Sequence, residues 1–116
     1  MAQTKKILII DDEGELNEII AMRLTKAGYQ IDTAINGPLG IEKAKSFLPD
    51  VILLDINMPG MDGWQVCAKL KETPETKAIK IVILTATRDF TRAKNLGVSR
   101  VVLKPFNYEE ILDVIK

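Results

Sequence analysis

Five polar residues stand directly behind runs of aliphatic residues in this chain. Asp11 and Asp12 follow Ile7-Leu8-Ile9-Ile10, Asp55 follows Val51-Ile52-Leu53-Leu54, Thr85 follows Ile81-Val82-Ile83-Leu84, and Lys104 follows Val101-Val102-Leu103. If folding gathers them, three carboxylates lie within a few ångströms and repel by about 4 kcal/mol per close pair at an effective dielectric of 20. Lys104 supplies one offsetting charge. A hard divalent cation suits an all-oxygen cluster better, and Mg²⁺ takes one or two carboxylates and keeps several waters, whose positions can accept a phosphoryl group. Asp55, at the end of a run of four consecutive aliphatics, is the candidate nucleophile of such a pocket.

The elements that must position these groups can be read from the same runs. Consecutive aliphatics without alternation indicate strands buried on both faces, as in a parallel sheet flanked by helices. Behind Asp55, Pro59-Gly60 and Asp62-Gly63 force a turn and leave the carboxylate at a surface crevice. In chain order, the strand Lys6 to Asp11 is followed by a helix with Leu16, Ile19, Ile20, Leu24 and Ala27 as its stripe, closed by Gly28. Asp12, Glu13 and Glu15 lie at its start, where the helix dipole favours negative charge. The half-polar alternation of Tyr29 to Ala34 predicts an edge strand. Asn36-Gly37-Pro38 opens a second helix with the stripe Ile41, Ala44 and Leu48, stopped by Pro49. Gly63, Val66, Cys67 and Leu70 mark a third helix, which makes Cys67 a small core residue. After the polar loop Glu72 to Lys80, Phe90, Ala93 and Leu96 predict a short fourth helix ended by Gly97. Asn107 and Glu110 form a capping box for the last helix, with Tyr108, Ile111, Leu112 and Ile115 at helical spacing. Strand and helix thus alternate five times, the pattern of a doubly wound α/β sheet. Right-handed crossovers and an edge position for the second strand favour the order 2-1-3-4-5, which sets Asp11 and Asp12 across from Asp55 at the switch point where open sheets bind ligands.

Composition narrows the function. The 116 residues suit a single domain, residues 1–116, with a core of its own. Sixteen basic and sixteen acidic residues cancel, so no overall field recruits nucleic acid or an anionic membrane. From 76 to 104 the chain carries Lys77, Lys80, Arg88, Arg92, Lys94, Arg100 and Lys104 against Asp89 alone, which is either a basic face or, more plainly, a solvated helix surface. The single cysteine forms no internal disulfide, and no signal peptide or membrane span fits the sequence, so the expected location is the cytoplasm. The absence of histidine excludes His-based zinc sites and Ser-His or Cys-His catalysis. No glycine-rich nucleotide loop occurs.

In order along the chain, Asp11-Asp12, Asp55, Asn57-Met58-Pro59-Gly60-Met61-Asp62-Gly63, Thr85-Ala86 and Lys104-Pro105-Phe106 resemble the motifs of the receiver domains of two-component response regulators, over essentially the whole chain. The resemblance implies a flavodoxin-like five-stranded sheet. It implies that Asp55 is the phosphoacceptor for a phosphohistidine on a sensor histidine kinase or phosphotransfer protein, and that Asp12, Asp55 and the backbone carbonyl of Asn57 hold Mg²⁺, with Asp11 acting through a water. It further implies that Lys104 pairs with the phosphoryl oxygens, aided by a cis peptide to Pro105, and that Thr85 is the switch hydroxyl. The expected outcome is a shift between two conformations that alters binding to a downstream protein, with slow self-dephosphorylation and no turnover chemistry. The domain is expected as a monomer or a phosphorylation-dependent dimer, either alone or cut from a longer protein.

Two features depart from that family. Receivers usually carry an aromatic three residues before the lysine, and here Val101 stands there, which cannot swing between buried and exposed rotamers as a tyrosine does. The segment from Thr85 to Gly97 is about three residues shorter than usual, nearly one helical turn, so the fourth helix should be stunted or displaced. Trp64 falls off the third helix's stripe and either packs on the acidic loop or contacts a partner. Two rival functions remain open at this level. A phosphatase of the haloacid-dehalogenase type would need an aspartate where Asn57 stands, and a degenerate receiver would bind a partner without phosphorylation.

Overall fold

The computed structural model describes residues 4–116 except Thr87, Asp89 and Ser99, and the backbone alone of Leu16. The expectations that used Asp89 and the Leu16 side chain therefore lie outside the described residues. Strand β1 (Lys6–Ile10) leads to α1 (Gly14–Lys26), β2 (Gln30–Ala34), α2 (Gly37–Phe47), β3 (Val51–Asp55), α3 (Gly63–Glu72), β4 (Lys80–Thr85), α4 (Thr91–Asn95), β5 (Arg100–Leu103) and α5 (Tyr108–Ile115). The five strands form one parallel sheet in the order β2-β1-β3-β4-β5, as the alternation of runs predicts.

Successive side chains of a strand point to opposite faces, and this divides the core in two. Leu8, Ile10, Ile52, Leu54, Ile81 and Ile83 pack with residues of α2, α3 and α4, among them Ile41, Val66, Cys67, Leu70 and Ala93. Ile7, Ile9, Val51, Leu53, Val82 and Leu84 pack with Ile20 and Leu24 of α1 and Ile111, Val114 and Ile115 of α5. Two glycines set the fit of α2 and α3. A Cβ at Gly40 would run into the Ile10 side chain, and one at Gly63 would run into the backbone carbonyl of Asp55 and into Ile56. Gly63 thus lets the start of α3 lie directly against the end of β3.

Helix starts follow the sequence signals. The side chains of Asn36, Asp62 and Asn107 accept the backbone N–H of Leu39, Gln65 and Glu110, and the last two complete capping boxes. α4 is a five-residue helix, as short as the sequence implies.

Several expected core positions differ. In α1 the buried face is Asn17, Ile20 and Leu24, while Ile19 and Ala27 are exposed, because the helix meets the sheet one position round from the expected stripe. Leu48 is not part of the α2 stripe. The residue before a proline is steered away from right-handed helix, and Leu48 ends the helix at φ 50 with its side chain exposed. Phe90 caps α4 from outside and is exposed. β5 is an edge strand, so only Val102 of its apolar run is fully buried. Trp64 is mostly buried in the core cluster on the α3 side, with the Arg92 guanidinium 5.6 Å from its ring, and it also lines a groove between α3 and α4. The basic residues of 76–104 do not share one face: Lys80 donates to the Val114 carbonyl at the end of α5, while Lys104 lies at the opposite edge of the sheet.

Candidate functional site

Strand register brings the expected residues to one edge. Ile10 pairs with Leu54 and Asp55 with Leu84, so Asp11 emerges level with Asp55, while Thr85 pairs with Leu103, immediately before Lys104. The Lys104 amide donates to the Thr85 carbonyl at 2.8 Å and extends that pairing past the strand. Alternation within the strands sends the Asp55 side chain toward the α1/α5 side and that of Thr85 toward the α4 side, which also holds Val101.

Carboxylate oxygens of Asp11, Asp12 and Asp55 lie within 4.8 Å of one another, with Asp11 and Asp55 buried and Asp12 exposed. The Lys104 ammonium donates to Asp55 Oδ1 at 3.0 Å. The Asn57 amide reaches the same oxygen at 3.3 Å, which puts the start of the Asn57–Gly63 loop at the rim. Asp11 Oδ1 accepts the Glu13 amide at 2.9 Å. The peptide between Lys104 and Pro105 is cis, as expected. A groove of about 430 Å³, lined by Glu13, Ala86, Lys104, Pro105 and Phe106, opens beside the lysine.

The charged groups of the pocket shift one another's protonation. Burial, assisted by the charge of Asp55 and outweighing the hydrogen bond from Glu13, pushes the Asp11 carboxyl up from 3.8 to about 6. Burial alone would lower the Lys104 ammonium, but its hydrogen bond and charge interaction with Asp55, with Asp11 and Glu13 adding to them, leave it raised. Among the described residues, the Lys104 cation contacts this carboxylate set through Asp55. An all-oxygen set of this kind, two members buried and one open to solvent, fits a hard divalent cation such as Mg²⁺.

The structure thus gathers Asp11, Asp12, Asp55 and Lys104, with Asn57 and Thr85 at the margin. Sequence reasoning passed over Asn17, whose side-chain amide donates to the Asp11 carbonyl at 2.8 Å. The available signal was an asparagine at helical spacing from Ile20 and Leu24. Glu13, read only as a helix-start acid, also lines the groove.

Comparison with known proteins gives the family and the fold. Residues 7–116 match the family described as the response regulator receiver domain. The chain is 39% identical over 105 residues to the response regulator PleD of Caulobacter vibrioides, covering 88% of this chain and 23% of that protein. It is 33% identical over 111 residues to the response regulator ArlR of Staphylococcus aureus, covering 96% and 51%. The chain therefore spans from about a quarter to about half of the length of these relatives. Among solved structures it is similar to the Vibrio cholerae chemotaxis protein CheY4, at 30% identity and a TM-score of 0.90 over 97% of this chain and 96% of that one. It is also similar to the N-terminal domain of a response regulator receiver protein from Methanoculleus marisnigri, at 29% identity and a TM-score of 0.80, covering 97% and 94%.

Proposed function

The chain belongs to the response regulator receiver family of two-component systems, and from that premise we propose that Asp55 accepts a phosphoryl group from a phosphohistidine on a sensor histidine kinase or phosphotransfer protein. The carrying observation is the convergence of Asp11, Asp12 and Asp55 on one pocket with the Lys104 ammonium 3.0 Å from Asp55. In this step an Asp55 oxygen forms a bond to phosphorus as the bond from phosphorus to the donor's imidazole nitrogen breaks, giving an acyl phosphate. A carboxylate needs no deprotonation at neutral pH. It needs in-line placement and neutralised charge, the two effects that dominate phosphoryl transfer.

Asp12 and Asp55, with the Asn57 carbonyl, would hold Mg²⁺, with Asp11 supporting it through water. Bound Mg²⁺ would offset the negative charge on the phosphoryl oxygens. Lys104 exchanges its Asp55 contact for a phosphoryl oxygen and holds the adduct, and the groove beside it admits the donor. The phosphoryl group adds nearly two negative charges at the end of β3, and the Thr85 hydroxyl moves to meet it. Val101 packs against the α4-side core and is fixed there, so the change is passed on without a swinging aromatic. The result is altered binding to a downstream protein in the cytoplasm, with slow self-dephosphorylation and no substrate turnover. Asn57 stands where a haloacid-dehalogenase phosphatase needs its acid, and it is exposed at the rim.

Incubation with Mg²⁺ and acetyl phosphate, followed by intact mass measurement, tests the reading. One labile phosphoryl adduct is expected, absent in Asp55→Asn and absent without metal. Failure of every donor to give an adduct would favour a receiver that only binds partners, and steady hydrolysis of phosphate monoesters would favour a phosphatase.

A further inference from the structure

We propose that Asn17 is a positioning residue that holds the acidic loop of residues 11–13 in its cation-binding shape, an inference that rests on the receiver reading above. α1, like the five-residue α4, starts without a side-chain cap: Glu13 occupies the cap position and makes no cap bond, whereas α2, α3 and α5 are capped by Asn36, Asp62 and Asn107. The first turn of α1 thus lacks a capping side chain. From within that helix, Asn17 Nδ2 reaches back six residues to the Asp11 carbonyl at 2.8 Å. The Asp11 amide already donates to the Ala34 carbonyl at 3.0 Å, and Asp11 Oδ1 accepts the Glu13 amide at 2.9 Å. The Asn17 bond completes this set and fixes the plane of the peptide from which Asp12 projects.

The position argues against a packing role. Asn17 is 1% exposed and lies on the same buried face as Ile20 and Leu24, where an aliphatic residue would continue the pattern. Its Oδ1 is buried with no hydrogen-bond partner among the described residues. A half-satisfied buried amide is less stable than an apolar side chain of the same shape. A polar residue at such a point fits a site requirement better than a folding requirement, and groups that orient metal-holding residues in this way strongly affect metal affinity.

Wild type, Asn17→Leu and Asn17→Ala are compared, the alanine variant serving if the leucine fails to fold. In metal-free protein, hydrogen exchange at the Glu13 amide is expected to be faster in the variants, while the amides of β4 exchange at the wild-type rate. In calorimetric titration with MgCl₂, the folded variants are expected to bind about 10-fold more weakly than wild type. Unchanged exchange at Glu13, or equal Mg²⁺ affinity, would overturn the proposal. If wild type binds no Mg²⁺ while the exchange difference persists, the tether stands and the metal reading above is what fails.

Discussion

Asp11→Asn in metal-free protein separates the cost of the acidic pocket from its function. The Asp11 carboxyl is buried beside Asp55, and burial first, then the Asp55 charge, holds it at about 6 instead of 3.8. A carboxyl whose folded value is raised favours the fold while it is protonated and loses that advantage as pH rises through the folded value. Its penalty is thus absent below about pH 3.8, grows between about 4 and 6, and is complete by about pH 7.5. At about 1.4 kcal/mol per pH unit, the full shift corresponds to about 3 kcal/mol. Asparagine keeps the Oδ1 that accepts the Glu13 amide and removes the charge. Urea denaturation in EDTA at pH 7.5 should therefore show Asp11→Asn more stable than wild type by about 2–3 kcal/mol, a midpoint shift of about 1 M or more. The difference should shrink steadily toward pH 4. An Asp11→Asn protein no more stable than wild type at pH 7.5, or a difference that does not change with pH, would refute the electrostatic reasoning.

Further outcomes follow from the same geometry. Lys104→Met removes the cation 3.0 Å from Asp55 and leaves a buried carboxylate without that partner, so metal-free stability at pH 7.5 should fall by about 1–3 kcal/mol in the same urea assay. Gly63→Ala puts a methyl group against the Asp55 carbonyl and Ile56. A loss of about 1–3 kcal/mol is expected, together with slower phosphorylation by acetyl phosphate, measured by intact mass. Cys67 is fully buried and burial pushes its thiol up, so it should react with a disulfide reagent only after denaturation, which a time course with and without urea will show.

Much of the architecture is visible in the residues because the apolar runs lack alternation and the turn and cap residues fall between them. Asn36, Asp62 and Asn107 cap helices at or within a residue of where the sequence places helix starts. The site residues were legible for a related reason: in a parallel sheet, residues that follow aligned strands must emerge at one edge. What sequence reasoning placed wrongly depends on rotation and edge effects. Ile19 and Asn17 differ by less than one turn, and only the docking of α1 on the sheet decides which of them is buried. Leu48 and Phe90 lie at helix ends, where backbone geometry overrides the periodic pattern. Asn17 was missed because its partner is a backbone carbonyl, which no residue pattern encodes.

One particular carboxylate, the one in contact with Lys104, is expected to take up the phosphoryl group. Borohydride reduction of the protein after treatment with Mg²⁺ and acetyl phosphate, followed by peptide sequencing in the mass spectrometer, reads that position directly. Asp55 should appear as homoserine, with Asp11 and Asp12 unconverted. Reduction at another residue, or at none, would refute phosphorylation at Asp55.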